Sequence, residues 1–529
     1  MFARVQLRFG KSRRDCSPRA SGLTEVSLYP GFRSSFSVIA LTFFLTAGAS
    51  RAQDESNSVT VHWDKIDRVS KTTATLQVVV NPPLRRGSPI HDKVFSSLRD
   101  LQADYVRYVP WLPYPRLGVS ELESPKDGKS SWDFSVIDPM TIDFLEATKG
   151  HSVVLNFSTI PQWMFKTDHP VSYPSDPDQV FWDYEQGREL RDPSAKEVAD
   201  YFARLLSWYT QGGLTDEFGK RHESGHHLAI PYWEILNEPD SEHQTSPENY
   251  TRLYDQTVLA MRKVQPNLKF VGVSMALPSQ HPEFFEYFLN PRNHQPGVPL
   301  DYISYHFYAT PGADESQEVQ QFTFFAQAEG FLNTVGYIEA IRKRLSPSTG
   351  TMINELGAIA AQDSGQATPG HVTEPIPNSY WNLAGAMYAY LFLELSRKGI
   401  DVVGESQLVG YPTQYPTVSM LDWNTGDPNP RYWVLKLLHD NFAAGDTLVD
   451  TQLDSPYVYA SGAITKDGKK RVLLVNKRDQ PVAIVVPGAS RGQQTYVDVN
   501  TGFQPPVAAQ LTSDKISLGP FSVCVVTLP

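Results

Sequence analysis

The chain of 529 residues is long enough for one large domain and a smaller one, and its 41% apolar content supports a sizeable core. A formal charge of −11 argues against a nucleic-acid or anionic-membrane partner, because gripping phosphates takes a net basic footprint. Aromatic residues at 12% are numerous, and many fall beside Pro and Gly as in sugar-binding clefts; an aromatic-rich core accounts for them equally well.

Residues 1–52 read as an export signal. Arg4, Arg8, Lys11, Arg13, Arg14, Arg19 and Arg33 face only Asp15 and Glu25, an apolar run covers 36–47, and small residues end at Ala52, after which cleavage is expected. The apolar run is too short to span a bilayer comfortably, so no membrane span is expected after cleavage. Of the two cysteines, Cys16 leaves with the signal, and Cys524 alone forms no internal disulfide.

Val59, Val61 and Trp63 alternate with polar residues and predict a strand over 59–69. A strand over 76–80 stops at Asn81-Pro82-Pro83. Ser88 and Pro89 then open a helix whose buried face carries Ile90, Val94, Leu98 and Leu101. The alternation repeats down the chain: strand 105–109, helix 137–148, strand 152–157, a helix opening at Asp192-Pro193, strand 232–236, helix 247–264 and strand 269–273. It continues with helix 283–289, strand 302–305, helix 335–345, strand 351–354, helix 381–397, strand 402–408 and helix 431–442. The strands are mostly apolar runs, as parallel strands buried on both faces should be. Eight βα units over 76–443 predict a (β/α)8 TIM barrel. The rival, a doubly wound open sheet, needs a Gly-rich turn after its first strand to bind a nucleotide, and Asn81-Pro82-Pro83-Leu84 is not one. Past Ala444 short strands follow closely with turns between them, which predicts a smaller antiparallel β-sandwich over 445–529, completed by 59–69.

In a barrel, chemistry sits at the carboxyl ends of the strands. Two glutamates fall there: Glu238, after the fourth strand in Asn237-Glu238-Pro239, and Glu355, after the seventh in Asn354-Glu355-Leu356. Glu405 lies within the eighth strand. Glutamates ending strands four and seven resemble the retaining glycosidases of clan A. Tyr105-Val106-Arg107-Tyr108, the stretch from Val154 to Pro161, the stretch from Val298 to His306 and the apolar helix after Glu355 fall in the order of family 39, which includes β-xylosidases and α-L-iduronidases.

The resemblance implies that Glu238 is the acid/base, Glu355 the nucleophile, and Asn237 a hydrogen-bond partner of the sugar 2-hydroxyl, with no metal or cofactor. Arg107 is positioned to hold Glu355 ionised, or else forms a structural ion pair. His306 and Tyr308 are expected to contact the sugar or the nucleophile, unless His306 is a satisfied core histidine; Trp163 either packs in the core or stacks on a sugar ring, and Glu405 or Gln407 is expected to line the pocket. The expected partner is an oligosaccharide, a polysaccharide or a glycoconjugate. Two departures from the family, Asn354 where xylosidases carry Thr before the nucleophile and an eighth strand without an aromatic-rich signature, bear on the substrate more than on the mechanism.

Two other readings compete. His222-Glu223-Ser224-Gly225-His226 satisfies the H-E-x-x-H zinc pattern, which works only on a helix where both histidines share a face. The flanking Gly219, Gly225 and Pro231 predict a loop there instead. The other is a non-catalytic carbohydrate binder that keeps the barrel. Two N-glycosylation patterns, at Asn156 and Asn249, matter only in a eukaryotic secretory route, and Asn156 is expected to be buried.

Overall fold

The computed structural model describes residues 57–529 except 170, 171, 185, 186, 313, 362 and 364–374. The expected export signal over 1–52, with Cys16, lies outside the described residues. Eight parallel strands close into a barrel: β1 (Thr73–Val79), β2 (Val106–Val109), β3 (Val153–Leu155), β4 (Tyr232–Glu234), β5 (Lys269–Met275), β6 (Tyr302–Ala309), β7 (Gly350–Ala358) and β8 (Val402–Glu405). Each is followed by a helix that covers the outside, running from His91–Leu101 after β1 to Pro430–Asn441 after β8. No described helix is long and apolar enough to cross a membrane.

Local chemistry explains several boundaries. The helix Pro247–Val264 starts where Ser246 accepts a bond from the Asn249 amide and Pro247 fills the first turn; Asn378–Lys398 ends at Gly399, whose φ of 81° lets the last carbonyls be met. Other expectations need correction. The first helix begins at His91, not Ser88, and the helix after β3 begins at Lys196, because Asp192 spends its carboxylate on the amides of Ser194 and Glu197 in a preceding turn. The helix expected over 335–345 runs over Gln317–Leu345, and β6 and β7 extend beyond the expected ends. Residues 213–215 and 221–223 form an unforeseen antiparallel hairpin.

The barrel interior is layered. At the amino-terminal end Val154, Val271, Met352 and Val402 form an apolar plug with Tyr105, Tyr232 and Tyr302. Above it the inward side chains are polar. Along β6 the two faces alternate: Ser304, His306 and Tyr308 carry bonds to groups inside, while Tyr305 and Phe307 pack on Phe331 of the covering helix. The second layer of the molecule is a seven-stranded antiparallel sheet, in which Thr60–Val69 forms an edge against Thr447–Gln452, with a two-stranded sheet of Val482–Val485 and Lys515–Leu518. Val472, Leu474, Cys524 and Val526 pack against Ile484, Ile516 and Leu518 between them, giving the small β-sandwich its own core.

Two bulges break the strand period. Between Met352 and Glu355, β7 slips against β6, so three steps on one strand match two on the other. In β5 the register shifts between Gly272 and Met275, with Val273 at φ 77° and Ser274 at φ 47°. Gly272 sits at a close approach: a Cβ there lies 2.4 Å from the Phe288 ring of the covering helix. Gly272→Ala is expected to cost about 1–3 kcal/mol in chemical denaturation through overpacking, and Phe288→Leu in the same chain to recover part of that loss.

Candidate active site

Arg107 on β2 is fully buried at the barrel centre. Its Nε donates to Glu234 Oε2 at 2.5 Å, Nη1 to Gln77 Oε1 and Glu355 Oε2 at 2.7 Å each, and Nη2 to Asn237 Oδ1 at 2.6 Å and Ser274 Oγ at 3.2 Å. A guanidinium has five N–H groups, and all five are used. Glu234 is saturated in turn: Asn156 also donates to Oε2 at 2.5 Å, and Ser304 and Asn354 donate to Oε1 at 2.5 and 2.7 Å. Burial opposes the charge on Glu234, but the adjacent Arg107 outweighs it and holds the carboxyl below its usual range.

Glu355 is tethered at both oxygens. Oε2 takes Arg107, and Oε1 accepts from the Tyr308 hydroxyl at 2.7 Å. The β7 bulge makes this possible, because in an unbroken strand Asn354 and Glu355 point to opposite faces, whereas here Asn354 reaches Glu234 and Glu355 reaches Arg107. The Ser406 hydroxyl lies 2.6 Å from the Tyr308 oxygen, whose single proton goes to Glu355, and burial with the Glu355 charge raises the phenol well above the usual value.

Glu238 faces the same space from beyond β4. The strand ends at Glu234, and Leu236 and Glu238 take φ of 62° and 42°, a region that non-glycine residues seldom occupy. That irregular path turns Glu234, Asn237 and Glu238 all inward, and the Glu238 amide is held by the Ser274 carbonyl at 2.9 Å. Glu238 Oε1 meets His306 Nδ1 at 3.0 Å, and His306 Nε2 meets Ser274 Oγ at 3.2 Å. Burial pushes Glu238 up to about 7; the His306 bond opposes this and the Glu355 charge adds to it. Burial disfavours a charged His306, but Glu355 and Glu238 together raise the imidazole above its usual value. One ligand atom each from Glu238, His306 and Glu355 lie within 4.8 Å of one another.

The cavity over these groups, about 470 Å³, is lined by Asn237, Glu238, Tyr308, Glu355, Gln407 and Ser406 among polar residues, and by Trp111, Tyr415 and Val418 on its apolar side. Trp111 and Tyr415 stack at 6.2 Å, with Trp182 edge-on to both. These aromatics come from loops and carry no periodic signal, so sequence reasoning missed them. It also missed Gln77, Glu234 and Ser274, although a charged Glu234 inside an apolar strand and the alternate polar residues of β6 were visible signals.

Trp163 is not among the lining residues: its Nε1 donates to the Glu121 carbonyl at 2.9 Å and the Arg191 guanidinium covers its ring at 4.7 Å. Glu405 also stays outside, buried under a bond from Arg431 Nε at 2.8 Å, while its neighbours Ser406 and Gln407, joined by a cis peptide, reach the cavity. The His222–His226 segment is not helical. His222 sits on the hairpin and bonds Asp216 at 2.8 Å, and His226 lies in a loop and bonds Asp138 at 3.0 Å, so the two rings serve different carboxylates. Asn156 is buried against Glu234, whereas Asn249 is exposed.

Residues 219–353 match the family model described as Glycosyl hydrolases family 39, a stretch that runs from the hairpin into the first half of β7 and carries Asn237, Glu238, His306 and Tyr308. No curated protein matches this chain. Among solved structures, the GH51 arabinofuranosidase from Xanthomonas axonopodis pv. citri aligns with a TM-score of 0.58 at 14% identity, over 89% of this chain and 99% of that one. A GH30 endoxylanase from Clostridium papyrosolvens C71 gives 0.55 at 14%, over 89% and 99%, and a glucosidase from Croceicoccus marinus 0.56 at 15%, over 89% and 98%. At these identities the structural likeness is one of fold.

Replacing Arg107 tests the frame. Arg107→Met strands the Glu234 charge in the core and is expected to cost about 3–5 kcal/mol of stability. Arg107→Lys keeps the charge but offers three donors to five acceptors, so it is expected to retain more of the melting temperature than the Met variant while losing most activity.

Proposed function

For this chain, a glycosidase that resembles family 39 on a clan A barrel, we propose a retaining double displacement with Glu238 as acid/base and Glu355 as nucleophile. The observation that carries it is the spacing: one oxygen of each carboxyl group lies within 4.8 Å of the other. Retaining enzymes keep their carboxyl groups about 5–5.5 Å apart, whereas inverting ones leave about 6.5–9.5 Å for an intervening water.

In the first step a Glu355 oxygen bonds to the anomeric carbon while the bond to the leaving oxygen breaks, and that oxygen takes the Glu238 proton. In the second, Glu238, now a carboxylate, removes a proton from water; the water oxygen bonds to the anomeric carbon and the ester to Glu355 breaks. The environments suit these roles. Arg107 and Tyr308 place a positive charge and a hydroxyl donor on the two Glu355 oxygens and fix the carboxyl group in place. Glu238 keeps its proton near neutrality because burial and the Glu355 charge resist its ionisation. Once Glu355 is esterified its charge is gone, the Glu238 pKa falls, and Glu238 stays a carboxylate, the ionised form in which it can take the proton from water in the second step.

Asn237 Nδ2 is taken to meet the sugar 2-hydroxyl, an interaction that strengthens as the oxocarbenium-like state develops. The arabinofuranosidase, endoxylanase and glucosidase among the structural neighbours set the test panel: aryl arabinofuranosides, xylosides and glucosides. Residues 1–52 are proposed to direct export, and the intact mass of secreted protein checks cleavage after Ala52.

The acid must be protonated in free enzyme, so activity is expected below pH 7 and to be lost as pH rises through about 7. The measurement is the alkaline limb of kcat/KM on the best aryl glycoside. Treatment with a 2-fluoro glycoside inactivator is expected to label Glu355; a label elsewhere overturns the assignment. Glu355→Gln is expected to abolish turnover, keep sugar binding, and lower the Glu238 pKa by removing the neighbouring charge. A carbohydrate binder without catalysis shows binding in both proteins and turnover in neither.

A further inference from the structure

A third acid borders the site and is not used by this mechanism. After Glu238 the chain folds into a tight turn: the amides of Ser241 and Glu242 both donate to the Glu238 carbonyl, at 2.9 and 2.8 Å. Asp240 pins that turn to the loop after β5 by accepting from the Ala276 and Leu277 amides at 3.0 and 2.8 Å. Glu242 is thereby returned to the site, four residues from the acid/base.

Its Oε1 accepts two bonds, from Asn237 Nδ2 at 2.8 Å and from the Trp111 indole at 2.7 Å. Asn237 is thus held from both ends. Arg107 can only donate, so it demands the amide oxygen; the amide nitrogen is then turned to Glu242 Oε1, which also accepts from the Trp111 indole. A flipped amide puts donor against donor at Arg107. The orientation leaves the second N–H of Nδ2 without a protein partner among the described residues, on a residue that lines the cavity.

We propose that Glu242 is a positioning residue that presents the Asn237 amide to the 2-hydroxyl of the bound sugar, making the site selective for glycosides whose 2-hydroxyl is unmodified. This rests on the retaining reading and on Asn237 as the 2-hydroxyl contact. The carboxyl does this work in its neutral form: burial and the Glu238 charge push Glu242 up to about 8. Glutamine therefore reproduces the working state, because its Oε1 accepts the same two bonds.

The test compares wild type, Glu242→Ala and Glu242→Gln on a matched pair of aryl glycosides, one with a 2-hydroxyl and one 2-deoxy, of the sugar the wild type prefers. Glu242→Ala is expected to lose about 100-fold in kcat/KM on the 2-hydroxy substrate, mostly in kcat, through misplacement of one contact. On the 2-deoxy substrate, which has nothing for Asn237 to hold, it is expected to change little. Glu242→Gln is expected to stay near wild type on both. Equal losses by the alanine variant on both substrates, no loss on either, or a glutamine variant as impaired as alanine overturns the inference, even where a 2-fluoro glycoside labels Glu355 and the retaining reading stands. A wild type that turns over no aryl glycoside overturns both. Thermal melting of each variant separates unfolding from misplacement, and the glutamine variant preserves the shape if alanine does not fold.

Discussion

A positive charge sealed at the centre of the barrel sets the terms for everything around it. The Arg107 guanidinium is expensive to bury, and it is tolerated because Glu234 neutralises it and each of its five N–H groups has an acceptor. Those acceptors come from β1, β4, β5, β7 and the loop after β4. One side chain therefore ties together the strands whose ends carry the two carboxyl groups. Glu234 spends its remaining capacity on Asn156, Ser304 and Asn354, which extends the network to β6 and to the residue after β3. With every Arg107 N–H and both Glu234 oxygens engaged, the ion pair at the centre of the frame is held in one geometry.

From that frame the two site glutamates inherit different surroundings. Glu355 touches the guanidinium, whereas Glu238 touches only His306, itself shared with Glu355 at 3.6 Å. Burial then acts on them unequally, since Glu238 is 3% exposed and has no cation of fixed charge beside it. Two identical side chains thus meet different surroundings, one tethered to a guanidinium and one buried so that it resists losing its proton, without any difference in their own chemistry.

Regular strands do not supply such an arrangement, because alternate residues face away from the barrel interior. The structure overrides the period three times: at the β7 bulge, at Val273 and Ser274 in β5, and at the left-handed residues Leu236 and Glu238. The β7 bulge lies within its strand and the other two at or just beyond a strand's carboxyl end, and each brings an additional polar side chain inward. Strain of this kind persists where neighbouring bonds over-determine the backbone, as the Glu238 amide and the Asp240 carboxylate do here.

Sequence by itself determined the barrel and the identity of its strand-end glutamates. The apolar runs of β3, β5 and β8, separated by amphipathic helices, admit few other folds, and Asn237-Glu238-Pro239 and Asn354-Glu355 stand where those runs stop. Arg107, His306 and Tyr308 were legible for the same reason, as polar residues inside otherwise apolar strands. Trp163 and Glu405 looked alike in sequence yet face Glu121 and Arg431 outside the cavity, because which side of a strand end a residue takes depends on local turns that no periodicity encodes. Glu234, Glu242 and the aromatic wall of Trp111 and Tyr415 were decided only by tertiary structure. Their partners lie tens to hundreds of residues away, or across a turn that Asp240 fixes to the loop after β5, so contact and charge state arise only when the barrel closes. For the carboxylate at the end of β4, that closure supplies both the burial that keeps its proton and the neighbour that makes the proton useful.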